Sequence, residues 1–374
     1  MNVLFEPVKI GNVEIKNRLV RSATFEGCAD RKGHVSDIHI DIIEKLANGG
    51  VGLIITGIVY VHPSGQISPF QASIYRDEHI PGLKRLTSAA HDNGAKIAIQ
   101  LHHGGREAAR FLKTKNELAL APSSIGNDPY FQQPSRMMSD EDIWEIIQSF
   151  GGAARRAIEA GFDAVQLHGA HGYLISQFLS PYTNRRTDGW GGSLEKRLHF
   201  LRRVYEDIRS KVGENYPVFI KVGIEDGVSG GLEFEEGKFV AQSIARWPFD
   251  ALEISQGLRG LDYDKMEFRT RINHIDREAY FRDWCKEIKR LVHVPTMMVG
   301  GLRSYELMEE IVQKGETDFI SLSRPLIREP GIINDWKQGD RRRAACISCN
   351  KCLEALIKGQ ALHCVQLKHK EHRK

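Results

Sequence analysis

Two imidazoles and a phenol, His168, His171 and Tyr173, fall within six positions of one another, at and just beyond the end of a short apolar run bounded by Gly161 and Gly169. Packing does not demand such a density of proton donors in one turn, and titratable groups gather where a site uses them. In the strand that the run 163–169 predicts, Ala164, Gln166 and His168 share one face, and Val165 and Leu167 share the other. The polar face should line a site. A second group stands near the end of the chain, where Cys346, Cys349, Cys352 and Cys364 have the spacing C-x2-C-x2-C-x11-C. Four thiolates so arranged can hold a [4Fe-4S] cluster or a zinc ion, and spacing alone does not choose between these and a patch that holds no metal.

The elements that must position these residues repeat along the chain. Apolar strand patterns lie at 18–23, 51–57, 96–101, 163–169, 217–223, 250–255, 295–300 and 318–323. Amphipathic helical patterns lie at 37–48, 79–93, 139–160, 194–212, 234–245, 277–291 and 305–313. Ser139 followed by Asp140, Glu141 and Asp142 is a capping start for the third of these helices. Strands so apolar, each separated from the next by a helix, imply a parallel sheet covered on its outer face, and eight such units close into a (β/α)8 TIM barrel. The expected division is a barrel over 1–340 and a cysteine-rich extension over 341–374.

Such a barrel keeps its site at the C-terminal ends of its strands, which puts Gln100, His168, Lys221, Gly300 with Gly301, and Ser323 with Arg324 around one mouth. The glycine pair permits close backbone approach to a phosphate, and the serine and arginine add a hydroxyl and a guanidinium. Loops 58–74 and 106–138 are long and follow strands two and three, so they are candidates for the substrate entrance.

The stretches HGAHGYLISQFLSP and NRRTDGWGGSLEKR, residues 168–181 and 184–197, resemble the signature of the Old Yellow Enzyme family of FMN-dependent oxidoreductases. The resemblance covers residues 5–329. It implies FMN as cofactor, NADH or NADPH as co-substrate in a ping-pong cycle, and reduction of an activated alkene such as an α,β-unsaturated carbonyl compound or thioester. By the same resemblance, Ser22, Ala23, Thr24, Gly57 and Gln100 would touch the flavin, and Lys221 would place positive charge at its pyrimidine edge. Gly300, Gly301, Ser323 and Arg324 would hold the phosphate. His168 and His171 would donate hydrogen bonds to the substrate carbonyl, and Tyr173 would protonate the α-carbon. Phe25 stands where many relatives have a residue that hydrogen-bonds the flavin, and a phenyl ring cannot do so. The cysteine segment is similar to that of the 2,4-dienoyl-CoA reductases and trimethylamine dehydrogenases. That similarity opens an alternative: a flavin and iron-sulfur protein for electron transfer, or for dienoyl or amine chemistry, that works with a separate electron partner.

Composition narrows the remaining classes. A formal net charge of +4, from 52 basic and 48 acidic side chains, is too small and too evenly spread to argue for nucleic acid. The basic tail 368–374 reads as a solvated end. The longest apolar run, 53–61, is far short of a membrane span, and Glu6 and Pro7 stand where an export signal needs an apolar core. A cytoplasmic enzyme acting on a small molecule is expected, with homo-oligomerisation left open.

Overall fold

The computed structural model describes residues 2–125, 133–262 and 266–367. The basic tail and part of the loop 106–138 lie outside these residues. Eight parallel strands close into a barrel: β1 (Leu19–Arg21), β2 (Leu53–Tyr60), β3 (Lys96–His102), β4 (Ala164–Gly169), β5 (Val218–Gly223), β6 (Ala251–Ser255), β7 (Thr296–Met298) and β8 (Phe319–Leu322). β8 pairs with β1 through Ile320 opposite Leu19, which closes the ring. The helices α1 (Asp37–Asn48), α2 (Ile80–His91), α3 (Asp140–Glu159), α4 (His199–Val212), α5 (Phe234–Arg246), α6 (Arg282–Leu291), α7 (Tyr305–Gln313) and α8 (Ile332–Lys337) cover its outside. The barrel expected from the sequence is therefore the barrel observed. α3 starts as its capping pattern predicts, with the Ser139 hydroxyl accepting from Asp142 N at 3.2 Å and the Asp142 carboxylate accepting from Ser139 N at 2.7 Å.

Alternation along each strand sorts the side chains into two cores. Ile97, Ile99, Val165, Leu167, Ile220, Leu252 and Ile254 point outward to the helices. Val20, Ile55, Ala98, Ala164, Phe219, Ala251, Met297 and Phe319 point inward and fill the barrel floor, which Ile10 and Ile15 of an N-terminal hairpin close from below. Because the strand period is two, the next inward position on each strand lies one layer higher. There the residues become Gln100, Gln166, Lys221, Glu253 and Ser321, all buried. An apolar floor thus carries a polar layer, and above that layer the barrel opens.

Two helical patterns differ from expectation. Residues 194–212 form a short helix Leu194–Arg197 and then α4, separated at Leu198. The pattern at 277–291 becomes helical only at Arg282, because the preceding turn carries Tyr280 inward against Gly300 and Gly301. Among the described residues no helix is long and apolar enough to cross a membrane.

Candidate active site

A cavity of about 630 Å³ opens at the C-terminal ends of the strands. That volume suits a cofactor or a drug-sized ligand. Of the residues singled out in the sequence, Ser22, Ala23, Thr24, Phe25, Gln100, His168, His171, Tyr173, Lys221, Gly300, Gly301, Ser323 and Arg324 all line it. Gly57 does not. It sits at a bulge in β2, between the Ile55 and Ile58 pairings with β3, and its N–H donates to the Glu26 carboxylate at 3.0 Å. A Cβ at position 57 would lie 2.1 Å from Glu26 Oε2, so the glycine makes room for Glu26.

The polar layer under the cavity is one connected network. Gln100 Nε2 donates to Gln166 Oε1 at 2.7 Å, and Gln166 Nε2 donates to Glu253 Oε2 at 3.1 Å. Glu253 also accepts from the Ser22 hydroxyl at 2.7 Å and lies 3.3 Å from Lys221 Nζ, which itself donates to Ser22 Oγ at 2.9 Å. Lys221 is therefore a buried cation held by a carboxylate that is 0% exposed, an arrangement stable only while both partners stay. Sequence reasoning missed Glu253. Its signal was a lone acid at an inward position of an apolar strand, between Ala251 and Ser255.

On the wall, His168 lies with its ring centroid 4.9 Å from that of His171 and 4.8 Å from that of Tyr173. Burial holds the His168 ring well below the ordinary histidine pKa, and His171, His102, Lys221 and Arg259 add to the effect. Burial does the same for His171, with Lys221 and Arg259 contributing. Both rings are neutral at physiological pH, and each then carries one N–H. His171 Nε2 pairs with the Ser255 hydroxyl at 2.8 Å, which leaves its other nitrogen for a ligand or water. His168 Nδ1 is buried without a hydrogen-bond partner, as is Ser321 Oγ on the same cavity.

Tyr173 is surrounded by charge that the sequence did not reveal. The Arg259 guanidinium lies beside it, and the Glu107 and Glu267 carboxyls flank the pair, with Glu267 Oε1 3.4 Å from Arg259 Nη2. Burial pushes the phenol up to about 12, the arginine opposing the rise and the two acids adding to it. These three residues come from the loops after β3 and β6, whose folding no local pattern encodes.

At the opposite side of the mouth, Gly300 has φ +127° and Gly301 φ +74°, and both press on the Tyr280 ring. A Cβ at Gly301 would lie 2.9 Å from that ring, so a side chain there would strain both backbone and packing. Thr24 Oγ1 and Ser323 Oγ lie 2.8 Å apart. Arg324 is aimed by two acceptors, Arg269 O at 2.7 Å and Asn350 Oδ1 at 2.6 Å.

Asn350 belongs to the cysteine segment, which folds back over the barrel. Asn350, Cys352, Leu353, Leu356, Ile357 and Leu362 form one wall of the large cavity, and Leu362 N donates to Glu26 O at 2.8 Å. Cys346, Cys349, Cys352 and Cys364 are unpaired by disulfides and together line a smaller cavity beside Arg324, with Cys352 common to both cavities. The segment 184–197 has another part to play. Arg186 Nη1 donates to Pro122 O and Met138 O, its other nitrogens grip Asp188, and Asn184 Nδ2 donates to Phe178 O and Trp190 O. It braces the wall from outside and does not line the cavity.

Residues 3–342 match the model of the NADH:flavin oxidoreductase / NADH oxidase family. The chain is 37% identical over 353 residues to a NADH oxidase of Thermoanaerobacter brockii, covering 93% of this chain and 52% of that protein. It is 35% identical over 333 residues to a NADPH dehydrogenase of Clostridium acetobutylicum, covering 88% of this chain and 93% of that one. Among solved structures it is similar to a 2-naphthoyl-CoA reductase in complex with 2-naphthoyl-CoA. That match has a TM-score of 0.89 and 28% identity, over 97% of this chain and 56% of the other. The chain thus spans about half the length of the NADH oxidase and of the naphthoyl-CoA reductase.

Proposed function

For a chain that belongs to the NADH:flavin oxidoreductase / NADH oxidase family, we propose an NAD(P)H-dependent reductase that carries FMN in the large cavity. It would saturate an activated alkene, such as an α,β-unsaturated carbonyl compound or thioester, in the cytoplasm. The observation that carries this reading is the convergence of neutral His168 and His171, protonated Tyr173 and buried Lys221 on one cavity. The thioester class draws support from the likeness to a structure that holds an aryl-CoA.

When bound, the flavin would supply hydride taken from NADH or NADPH. Gln100, Ser22 and Lys221 would hold its pyrimidine edge, and the ammonium would stabilise the negative charge that reduction places there. Ala23 and Thr24 would pack along it, while Gly300, Gly301, Ser323 and Arg324 would take the phosphate. The chain's own residues do the rest. The imidazole N–H groups of His168 and His171 donate to the substrate carbonyl oxygen as charge develops on it, and both are fixed before the reaction begins. Tyr173 gives its proton to the α-carbon, and Arg259 stabilises the phenolate left behind until solvent restores the proton.

Isotope placement tests this reading. With deuterated NAD(P)H in ordinary water, the product of a cyclic enone should carry deuterium at the β-carbon, and with ordinary NAD(P)H in heavy water at the α-carbon. Deuterium from heavy water at both carbons, or cofactor oxidation without loss of the alkene, contradicts it.

A second reading rests on the cysteines. Cys346, Cys349, Cys352 and Cys364 line one small cavity that meets the large one at Cys352, and they would be the ligands of a [4Fe-4S] cluster or of a zinc ion there. Such a cluster supplies single-electron transfer, which would couple this chain to an external electron partner.

A further inference from the structure

Away from the cavity, the loop that follows β1 meets the start of α2 at three potential metal ligands. A ring nitrogen of His34, a ring nitrogen of His79 and a carboxylate oxygen of Glu78 all lie within 4.8 Å of one another. The two imidazoles face each other with centroids 5.1 Å apart. We propose that His34, Glu78 and His79 bind a divalent transition-metal ion of the zinc class, tying the first loop of the barrel mouth to α2.

The orientation of both rings supports this. His34 Nδ1 lies 3.0 Å from Asp30 Oδ2, and Asp30 Oδ1 accepts from Lys32 N and His34 N, each at 2.8 Å. The carboxylate therefore fixes the His34 ring and leaves Nε2 free. His79 is 2% exposed; its Nδ1 lies 3.0 Å from Arg76 O and its Nε2 lies 3.2 Å from Lys32 O. A neutral imidazole carries one N–H and can satisfy only one of these carbonyls. With the proton on Nδ1, the Nε2 lone pair faces the Lys32 carbonyl oxygen, acceptor against acceptor. A cation between them resolves that contact and uses both atoms as ligands.

The donor set is then two imidazole nitrogens, one carboxylate and one backbone carbonyl. Imidazole-rich sets of this kind suit zinc and its neighbours. Histidine ligands commonly have the second ring nitrogen pinned by a carboxylate or carbonyl, as Asp30 and Arg76 do here. Bonds of about 2.0–2.2 Å bring tetrahedral donors to roughly 3.4 Å apart, and the exposed Glu78 and half-exposed His34 side chains can make that adjustment. The first loop leads directly from Ser22, Ala23, Thr24 and Phe25, so its anchor also steadies one wall of the main cavity.

The cysteines can also take zinc, so the test compares proteins in which they are intact. Chelator-treated full-length chain, as wild type, His34→Ala and Glu78→Gln, is titrated with zinc by calorimetry and melted with and without the ion. Wild type should bind one more equivalent than either variant, or bind it at least about tenfold more tightly. The zinc-dependent rise in Tm should shrink in both variants, while metal-free Tm and circular dichroism match wild type. Cobalt in the extra site should give visible bands without the intense thiolate absorption. Equal zinc stoichiometry and equal Tm shifts in all three proteins, with cobalt bound only by thiolates, would overturn the proposal. Neither outcome depends on the flavin reading.

Discussion

Tyr173 owes its fitness as an acid to where it lies. Burial holds the phenol up at about 12, so it keeps its proton until well above neutral pH, and Arg259 stands ready for the anion. The alkene half-reaction should therefore be flat across about pH 6 to 9, with no imidazole titration, because His168 and His171 are held well below the ordinary range. Tyr173→Phe should slow that half-reaction by about 10²–10⁴-fold in rapid-mixing experiments and leave reduction by the nicotinamide nearly unchanged. Equal losses in both half-reactions would remove the proton-donor role. The buried pair beneath it makes a different prediction. Glu253→Gln leaves the Lys221 charge uncompensated, so a bound flavin should be easier to reduce, by about 30 mV or more, which is roughly 1.4 kcal/mol for two electrons. Spectroelectrochemistry that finds the potential unchanged or lowered would show that Lys221 does not act on the flavin through its charge.

The bulge in β2 shows how one element stores a titratable group. Burial pushes Glu26 up to about 7, while Arg21 and the Gly57 N–H pull the other way. An unfolded glutamate titrates at about 4.3. Between those values the folded chain binds the extra proton, so this contribution to stability is complete at low pH and is lost as pH rises through about 7. Denaturant unfolding of wild type and Glu26→Gln should diverge accordingly: wild type should lose stability relative to the variant from pH 5 to pH 8, at up to about 1.4 kcal/mol per unit. Parallel profiles would show that Glu26 is already ionised in the fold. The strands themselves were legible, since apolar runs ended by glycine or polar turns are local signals, and so were Gln100, His168 and Lys221 at inward positions near strand ends. Glu107, Arg259 and Glu267 were not, because their meeting at Tyr173 depends on two loops folding toward each other. Gly57 was misplaced for a similar reason: a count along β2 cannot reveal the bulge that turns it to Glu26.

Across the whole molecule, the alternation of eight strands builds a closed apolar floor, a polar layer and a mouth, and the eightfold βα rhythm made that architecture readable. The return of residues 350–362 as a wall of the cavity was not readable, since it rests on contacts such as Arg324 with Asn350 and Leu362 with Glu26 that span long stretches of chain. Its consequence is that the cysteine site and the large cavity meet at Cys352. The central claim is that this cavity holds a flavin that nicotinamide reduces. Anaerobic titration of the purified chain with NADH and NADPH, followed in the visible spectrum alongside iron and acid-labile sulfide analysis, tests it most directly. The account predicts about one flavin per chain, bleached by at least one of the two nicotinamides, with any iron near four per flavin. A chain that retains and binds no FMN, or whose flavin neither nicotinamide reduces, would contradict it.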